Sequence, residues 1–451
     1  MRLTCVTATG FRADILSMMR KTYYLHSYGC QMNLADSGIL AAAMEAAGYE
    51  AVADPASAGV IILNTCSVRE KAEERALGRL AELVRFKKDD DTCICAVGCM
   101  AQRLGGHLVE RVPEIDFVLG TERLFELPAL LDRRNGQTVV DTAMSSTPDW
   151  AEYPPVPDNP YIGYVTITRG CENYCAYCIV PYLRGPERHR KPQAIINDVN
   201  HLTAQGVIDV TLVGQNVNSY RDDGLQFPDL IRMVLGETDL LRLRFITSHP
   251  KDLSDELIAV FAEQSRLAGH IHLPLQSGSD RILEKMFRRY TYAHYRGLVE
   301  KLRQARPDIA LTTDLIVGFP TETDSEYQMT LDAVRDIRFD SAFMFRYSAR
   351  QGTWAAEHLA DDVPEEEKLR RLQGLIALQK EISFEVNQKE VGRVRQVLID
   401  GASRRDTAVW KGKTERNKTV LVKSDQPLLG RFMPVRITRA DSWTLHGEVA
   451  Q

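Results

Sequence analysis

Three cysteines crowd one short stretch of the sequence, RGCENYCAYCIV at residues 169–180. They are Cys171, Cys175 and Cys178. Thiolates bind zinc and iron–sulfur clusters, and closed sites of either kind usually use four protein ligands. Three thiolates can hold three corners of a cubane cluster and leave its fourth iron open to a substrate. The stretch therefore predicts a catalytic iron–sulfur site with one free coordination position.

Two other interpretations of this stretch stay open. A zinc ion could be completed by a histidine, and His189 is the nearest one. However, the spacing CxxxCxxC is uncommon for zinc, which is more often held by two CxxC pairs. The three cysteines could also be unrelated core residues, but their density makes that reading the weakest.

A second set of three cysteines lies closer to the N-terminus. Cys30, Cys66 and Cys99 each directly follow a predicted strand. Because the carboxyl ends of neighbouring parallel strands meet at one edge of a sheet, these thiols can converge on one point. The alternative is that each packs as a small buried hydrophobe. The equivalent placement after three strands favours a second three-thiolate site.

The composition is that of a globular chain of several domains. Its 451 residues are 44% apolar and 26% charged, and no apolar run approaches the length of a membrane span. Arg12 and Asp14 interrupt the first twenty residues, so we expect a disordered extension rather than a signal peptide. The chain is expected to be cytoplasmic, where its nine cysteines would stay reduced. We expect Cys93 and Cys95 to pack inside a strand and Cys5 to lie in the tail.

Two breaks divide the chain. TPDWAEYPPVPDNP, at residues 147–160, is rich in proline and predicts a semi-rigid linker. The second break follows a predicted helix that runs from Pro364 to about Glu390. The predicted parts are an extension (1–20), an N-terminal domain (21–146), the linker (147–160), a central domain (161–384) and a C-terminal domain (385–451).

Each predicted domain has its own periodicity. Buried strand patterns such as GVIILNTC and TCICAVGC alternate with helical patterns and predict an N-terminal parallel α/β domain. Six further strand–helix repeats predict a central partial (βα)6 barrel, whose chemistry would lie at the carboxyl ends of the strands. Five short β-rich runs then predict a small C-terminal antiparallel β-barrel.

The order C-x-x-x-C-x-aromatic-C, on the first loop of a partial barrel, resembles the radical S-adenosylmethionine (SAM) superfamily. The resemblance implies that the open iron chelates SAM through its amino and carboxylate groups. One electron then splits the sulfonium and yields a deoxyadenosyl radical. Tyr177 matches the aromatic residue that lies near the SAM adenine in that superfamily, although it could also be a packing tyrosine.

Seven further motifs resemble the methylthiotransferase family, and the resemblance covers roughly residues 22–448, including the C-terminal barrel of the type called TRAM. Among them are YGCQMN, LNTCSVREKAE, LVGQNVNSY, TSHP, HLPLQSGSD, DLIVGFPTET and YSARQGT. The MiaB group, which methylthiolates carbon 2 of N(6)-isopentenyladenosine next to the tRNA anticodon, is most similar. Gln31 favours that group, since the ribosomal-protein branch usually has proline there and the threonylcarbamoyl-adenosine branch tends toward lysine.

The resemblance implies two 4Fe-4S clusters and the use of two SAM molecules, with the Cys30, Cys66 and Cys99 cluster carrying the sulfur. It implies tRNA as partner, through its anticodon stem-loop, with a small electron-transfer protein as reductant and an unknown sulfur donor. The alternatives are the same chemistry on threonylcarbamoyl-adenosine or on a ribosomal-protein aspartate, or a non-catalytic metal-containing protein that binds RNA.

Polar residues near the predicted strand ends are candidates to hold SAM. Gly214 and Gln215 match the position that contacts the methionine amino group in the superfamily. Arg350 can pair with a carboxylate or phosphate. The remaining candidates, placed by strand-end position alone, are Ser248, His272, Gln276, Ser277 and Asp314.

Basic residues are candidates to contact RNA. The net charge of the chain is −5, yet the segment from Glu385 onward carries 13 Lys and Arg against 8 Asp and Glu. This segment can track phosphates, although a solvated basic face is the plain alternative. The candidates are Arg404, Arg405, Lys411, Lys413 and Arg416 in the barrel, and Arg184, Arg188, Arg190 and Lys191 in the loop LRGPERHRK.

Overall fold

The computed structural model describes residues 21–67, 70–87, 92–144, 153–403 and 406–450. The predicted N-terminal extension and residues 147–152 of the proline-rich linker therefore lie outside the described residues. The chain forms two compact units, Met1–Tyr153 and Pro154–Gln451. Within the described part of the chain, no helix has both the length and the apolarity to cross a membrane. The finer domain boundaries stay predictions.

The first unit is a six-stranded sheet with helices, and all its strand pairs are parallel. The strand order is β2-β1-β3-β4-β5-β6. The strands are β1 (Thr22–Ser27), β2 (Glu50–Ala51), β3 (Val60–Thr65), β4 (Cys93–Gly98), β5 (Phe117–Leu119) and β6 (Val139–Asp141). The helices are α1 (Gln31–Ala46), α2 (Glu70–Val84), α3 (Cys99–Leu104), α4 (Gly106–Arg111) and α5 (Leu127–Leu131).

The central strands explain why this sheet is parallel. Every residue of β3 and β4 is buried, as expected for strands covered by helices on both faces. The four strands predicted from the sequence are present, and the parallel sheet is confirmed. The prediction missed β2 and β6, which span only two and three residues and are too short to show a pattern.

The second unit begins with the predicted partial barrel. Its six main strands form two three-stranded parallel sheets. The sheet strands, with four short strands between them, are β7 (Ile162–Thr166), β8 (Thr168–Arg169), β9 (Arg188–His189), β10 (Asp209–Val213), β11 (Arg221–Asp222), β12 (Leu225–Gln226), β13 (Arg242–Phe245), β14 (His270–His272), β15 (Ala310–Val317) and β16 (Ser341–Arg346). The sheet orders are β7-β10-β13 and β14-β15-β16.

Helices alternate with these strands. They are α6 (Val180–Arg184), α7 (Pro192–Ala204), α8 (Phe227–Glu237), α9 (Asp255–Glu263), α10 (Asp280–Lys285), α11 (Tyr292–Ala305), α12 (Asp324–Ile337), α13 (Trp354–His358) and α14 (Glu365–Gln388). Helices α7, α8, α9, α11, α12 and α14 share one apolar core with the strands, whereas α10 and α13 contribute to a second cluster. Helix α14 begins directly after Pro364, as its sequence predicts.

The C-terminal segment is a closed five-stranded barrel, so all five predicted strands are present. The strands are β17 (Val394–Ala402), β18 (Val409–Thr414), β19 (Thr419–Lys423), β20 (Phe432–Ala440) and β21 (Thr444–Val449). Four pairings are antiparallel, but β19 and β21 pair in parallel. The expectation of a wholly antiparallel barrel therefore needs this one correction. Closure leaves no open sheet edge.

Candidate functional site

The loop that carries Cys171, Cys175 and Cys178 follows β8 at the carboxyl end of the first half-barrel. Gly170 opens the loop with a φ of +77°, and a Cβ there would lie 1.9 Å from the carbonyl oxygen of Pro186. Only glycine fits this close approach. The Gly170 N–H donates to Gln215 Oε1 at 2.6 Å, so Gln215 anchors the loop.

The three thiols influence one another electrostatically. Burial above all raises the pKa of Cys171 to about 11 and that of Cys178 to about 12, and negative charge on Cys175 adds to both effects. The thiols of Cys171 and Cys178 thus resist ionisation in the bare protein. A cationic iron cluster would favour the thiolates, since metal binding releases thiol protons. The donor set therefore fits a cluster held by three cysteines.

The surroundings of the loop supply polar contacts to its sulfurs. Asn173 Nδ2 donates to Cys171 Sγ at 3.5 Å, and Arg288 Nη1 donates to Cys175 Sγ at 3.2 Å. Tyr177 is half-buried, and withdrawal of its hydroxyl from water raises its pKa well above the usual range. Hydrogen bonds to the sulfurs that hold a cluster tune its electronic properties.

The second cysteine set lies at the carboxyl ends of β1, β3 and β4 in the first unit. Ser27 pairs with Asn64, and Thr65 pairs with Gly98, so the three strands end at matching register. Cys66 directly follows β3, Cys99 begins α3, and Cys30 precedes α1. The register places the three cysteines at one edge of the sheet, as a shared site would require.

The backbone at this edge is unusually tight. Gly98 has a φ of +90°, and a Cβ there would lie 2.4 Å from Asn64 Oδ1. A Cβ on Gly29 would lie 2.9 Å from Cys66 Cβ, which puts the residue before Cys30 next to Cys66. Cys66 and Cys99 are buried, whereas Cys30 is exposed.

Among the described residues, the other two cysteines lie within a strand rather than beyond its carboxyl end. Cys93 and Cys95 are buried within β4, as predicted, and burial raises the pKa of Cys93 to about 11. Cys5 lies outside the described residues. Within the described part of the chain, no three His, Cys, Asp or Glu side chains converge as the ligands of a single ion would. A cubane instead takes each thiolate on a different iron.

Two of the proposed SAM-binding residues are buried with an unsatisfied polar atom. Within the described residues, Ser248 Oγ and Gln276 Oε1 have no hydrogen-bond partner. Gln276 has a φ of +72°, and Thr247, beside Ser248, has a φ of +71°. Buried polar atoms are normally paired, and strained backbone concentrates at functional sites. Both residues therefore fit a polar ligand such as SAM.

Four further residues share this property and were not predicted from the sequence. Thr166, Thr168, Asn216 and His249 each have a buried side-chain atom without a partner among the described residues. All lie at or just after the carboxyl ends of β7, β8, β10 and β13. Together with Ser248 and Gln276 they mark one end of the partial barrel as a polar ligand site. The strand-end rule that selected Ser248 could also have selected them.

The remaining SAM candidates have contacts within the protein. His272 Nε2, at the carboxyl end of β14, lies 3.4 Å from Asp314 Oδ2. Asp314 lies in the middle of β15, which corrects its predicted place at a strand end. Ser277 Oγ accepts from the Ser279 N–H at 3.2 Å, which is a structural contact.

For the last two SAM candidates, Gly214 and Arg350, the structure shows close contacts of the backbone with neighbouring residues. Gly214 is packed against Thr168, whose Oγ1 would lie 2.0 Å from a Cβ there. The Arg350 carbonyl accepts from the Thr353 N–H at 3.0 Å. Their roles toward SAM stay predictions.

Several basic residues expected to contact RNA are buried instead. Arg190 Nη1 donates to Asp198 at 2.6 Å, and Arg184 is also buried. The Arg416 side chain is 10% exposed and contacts Asp340 and Glu390. These three arginines hold structure together, which corrects the expectation that they face RNA.

Other RNA candidates are differently placed. Lys191 and Lys411 are exposed, Lys413 and Arg188 are half-buried, and Arg404 and Arg405 lie outside the described residues. Lys191 Nζ lies 2.8 Å from Asp222. The exposed lysines remain candidates for phosphate contacts.

A groove of about 940 Å³ opens beside the cysteine loop. Tyr174 and Tyr182 line it with their rings 6.1 Å apart. Phe287, Trp354 and Arg289 also line it. Aromatic faces beside a guanidinium are a common surface for nucleic-acid bases or for a protein partner.

Three family models match the chain in the predicted order. Residues 22–120 match "Uncharacterized protein family UPF0004", residues 165–334 match "Radical SAM superfamily" and residues 388–450 match "TRAM domain". These matches confirm the resemblance drawn from the motifs.

Two relatives that match nearly the whole chain carry the same name. A tRNA-2-methylthio-N(6)-dimethylallyladenosine synthase from Moorella thermoacetica is 45% identical over 442 residues, covering 95% of this chain and 98% of its own. The protein of the same name from Porphyromonas gingivalis is 43% identical and covers 95% of both chains.

Solved structures show the same fold at low identity. The radical SAM methyltransferase TsrM from Kitasatospora setae has a TM-score of 0.56 at 15% identity, covering 75% of this chain and 77% of its own. The cobalamin-dependent SAM radical enzyme OxsB has a TM-score of 0.53 at 13% identity, covering 80% of this chain and 56% of its own.

Proposed function

The chain belongs to the family of tRNA-2-methylthio-N(6)-dimethylallyladenosine synthases, an enzyme family with a radical SAM domain, and we propose that it adds a methylthio group to carbon 2 of N(6)-isopentenyladenosine beside the tRNA anticodon. One observation carries the proposal: two separate three-cysteine sets lie at strand ends of a chain that is 45% identical to such a synthase over 442 residues. A single set would suffice for radical formation alone, so the second set calls for a further step.

The chemistry explains the need for two sites. Carbon 2 carries an inert C–H bond, and general acid–base catalysis works only with groups of matched pKa. When bound, one 4Fe-4S cluster with SAM supplies a carbon radical that removes this hydrogen atom, and the other supplies sulfur that a further SAM methylates. Two SAM molecules are used in all.

The residues of the chain have distinct tasks in this scheme. Cys171, Cys175 and Cys178 hold the radical-forming cluster and leave one iron open to SAM. Ser248 and Gln276 offer SAM the buried polar atoms that lack protein partners. The cysteine set of the first unit holds the sulfur-carrying cluster.

RNA binding completes the proposal. The target base must leave its stack to reach a buried site, as in other base-modifying enzymes. The TRAM barrel, with exposed Lys411, would contact phosphates of the anticodon stem-loop and give salt-dependent affinity. A small electron-transfer protein and a sulfur donor act from outside the chain.

Nucleoside analysis tests the reaction. A strain that lacks this gene should accumulate isopentenyladenosine and lose its 2-methylthio form in digested tRNA, as measured by mass spectrometry. The intact chain should restore the product, and the Cys171→Ala/Cys175→Ala/Cys178→Ala variant should not. Loss of a methylthiolated threonylcarbamoyl-adenosine, or of a modified ribosomal-protein aspartate, would contradict the substrate.

Metal analysis tests the cofactors independently. After anaerobic reconstitution we expect about eight irons per chain, four in each cubane. Each triple cysteine variant should retain about four, and Cys93→Ala, which alters a cysteine outside both sets, should retain about eight. Zinc with little iron would favour a non-catalytic protein that binds RNA.

A further inference from the structure

Arg288 is a buried arginine beside the cysteine loop. Its exposed fraction is 4%, and each nitrogen of its guanidinium donates a hydrogen bond. Nη1 donates to Cys175 Sγ at 3.2 Å, Nη2 to the Pro274 carbonyl at 3.1 Å and Nε to the Tyr290 hydroxyl at 3.1 Å. The Tyr290 hydroxyl in turn donates to the carbonyl of Leu275 at 2.8 Å. The position of the guanidinium is therefore fixed from three sides.

The charge of this guanidinium has no carboxylate beside it. Other buried arginines in the same unit are paired: Arg190 lies 2.6 Å from Asp198, and Arg371 lies 2.9 Å from Glu322. Within the described residues, Arg288 forms no ion pair with an Asp or Glu, and its other partners are a carbonyl and a phenol. An unpaired buried charge is costly, and a guanidinium does not lose its proton in proteins. Its counter-ion must therefore be the sulfur of Cys175.

We propose that Arg288 is the counter-ion of the cluster held by Cys171, Cys175 and Cys178, and that its hydrogen bond to the Cys175 sulfur raises the reduction potential of that cluster. The inference rests on the proposed function only in requiring that this cluster is present. A reduced cluster carries one more negative charge than an oxidised one, so a fixed cation and a sulfur hydrogen bond stabilise the reduced state. Arg288 is a positioning residue, since it touches a ligand of the cluster rather than SAM.

The chain offers a matched control in the next residue. The sequence FRRY places Arg289 directly after Arg288. Arg289 is exposed and lines the aromatic groove, so its charge is screened by water. Arg289→Met removes the same charge from the same turn without changing the contact to Cys175.

The experiment is a redox titration of reconstituted protein, followed by electron paramagnetic resonance of the reduced cluster. Removing a hydrogen bond to a charged group costs about tenfold in an equilibrium constant. Arg288→Met should therefore lower the ratio of reduced to oxidised cluster about tenfold at a fixed potential, or about 59 mV for a one-electron couple. Arg289→Met should match the unchanged chain within about twofold. An unchanged potential in iron-loaded Arg288→Met overturns the proposal.

A second variant, Arg288→Gln, tests the proposal in the case that Arg288→Met does not incorporate iron. Arg288→Gln keeps an amide donor for the Pro274 carbonyl but loses the charge, and it should show the same lowering of the potential. If both variants lack this cluster while Arg289→Met holds it, Arg288 serves the folding of the loop, and the tuning role is wrong. Wild-type protein without this cluster would refute the proposed function itself. If Arg288→Met lowers the potential as expected but the unchanged chain gives no methylthiolated product in tRNA, the role of Arg288 is supported and only the proposed substrate is wrong.

Discussion

Gly170 is the residue on which the shape of the radical-forming cysteine loop depends most directly, so Gly170→Ala should remove one cluster. A Cβ at this position would lie 1.9 Å from the Pro186 carbonyl oxygen and 2.5 Å from that of Gly185. Neither atom is the flexible end of a side chain, so the loop must move. The positive φ costs alanine about 1–2 kcal/mol. Loss of the hydrogen bonds from Cys171 N–H to Gly185 and from Gly170 N–H to Gln215 adds about 1 kcal/mol each.

Gly170→Ala should therefore destabilise the native conformation of the loop by about 3–4 kcal/mol, which is enough to displace a short loop. Gly224→Ala is the control, because Gly224 has a similar φ of +85° but open space around its Cβ position. After anaerobic reconstitution, Gly170→Ala should hold about four irons and cleave no SAM, whereas Gly224→Ala should hold about eight. Full iron content with normal SAM cleavage in Gly170→Ala would show that the loop does not need this close approach.

Substitutions of a SAM candidate, a buried histidine and a buried glutamate should each have a measurable effect. Ser248→Ala should weaken SAM binding about three- to tenfold in equilibrium dialysis, with unchanged iron, because it removes one hydrogen bond; equal affinity would place SAM elsewhere. Burial lowers the pKa of His270 well below its usual range, so the folded state keeps it neutral and loses stability as pH falls below about 6.5, by about 1.4 kcal/mol per pH unit. His270→Asn should reduce this dependence in urea titrations at pH 5 and 7, with buried His249 still contributing, and exposed His294→Asn should not reduce it. Glu390→Gln should cost about 1.5–3 kcal/mol by weakening the charge-assisted hydrogen bonds that buried Glu390 accepts from Arg395 and Arg416, which keep Glu415 and Asp340 as partners, and this should be seen as faster amide exchange in the barrel; exchange as slow as in an exposed Glu448→Gln control would contradict it.

Sequence reasoning found the features that depend on local order. Strands such as Val60–Thr65 and Ala310–Val317 are apolar runs bounded by turn residues, and the structure contains both. The position of Cys66 and Cys99 directly after strands follows from the same pattern, because a parallel sheet brings its strand ends to one edge. Motif order then located the SAM and TRAM domains without knowledge of any contact.

Burial of polar groups was beyond sequence reasoning, because it depends on packing between distant elements. Arg184, Arg190 and Arg416 look like ordinary basic surface residues, yet packing buries the first two and ion pairs with Asp340 and Glu390 hold the third. The same limit applies to the sequence FRRY, which gives no basis for distinguishing Arg288 from Arg289. Only the fold shows that one faces a cysteine sulfur and the other faces solvent.

The two cysteine sets differ in exposure, and the difference matches their proposed tasks. Cys175 is buried beside a fixed guanidinium, which suits a site whose radical must be kept from water and side reactions. Cys30 is exposed, whereas Cys66 and Cys99 are buried, so one cysteine ligand of the second site is exposed to solvent. A site that gives up sulfur in each turnover must be refilled, and refilling requires such an exposed ligand. Cys171 and Cys178 are only partly exposed, so the fully exposed ligand that refilling needs is Cys30 of the second set.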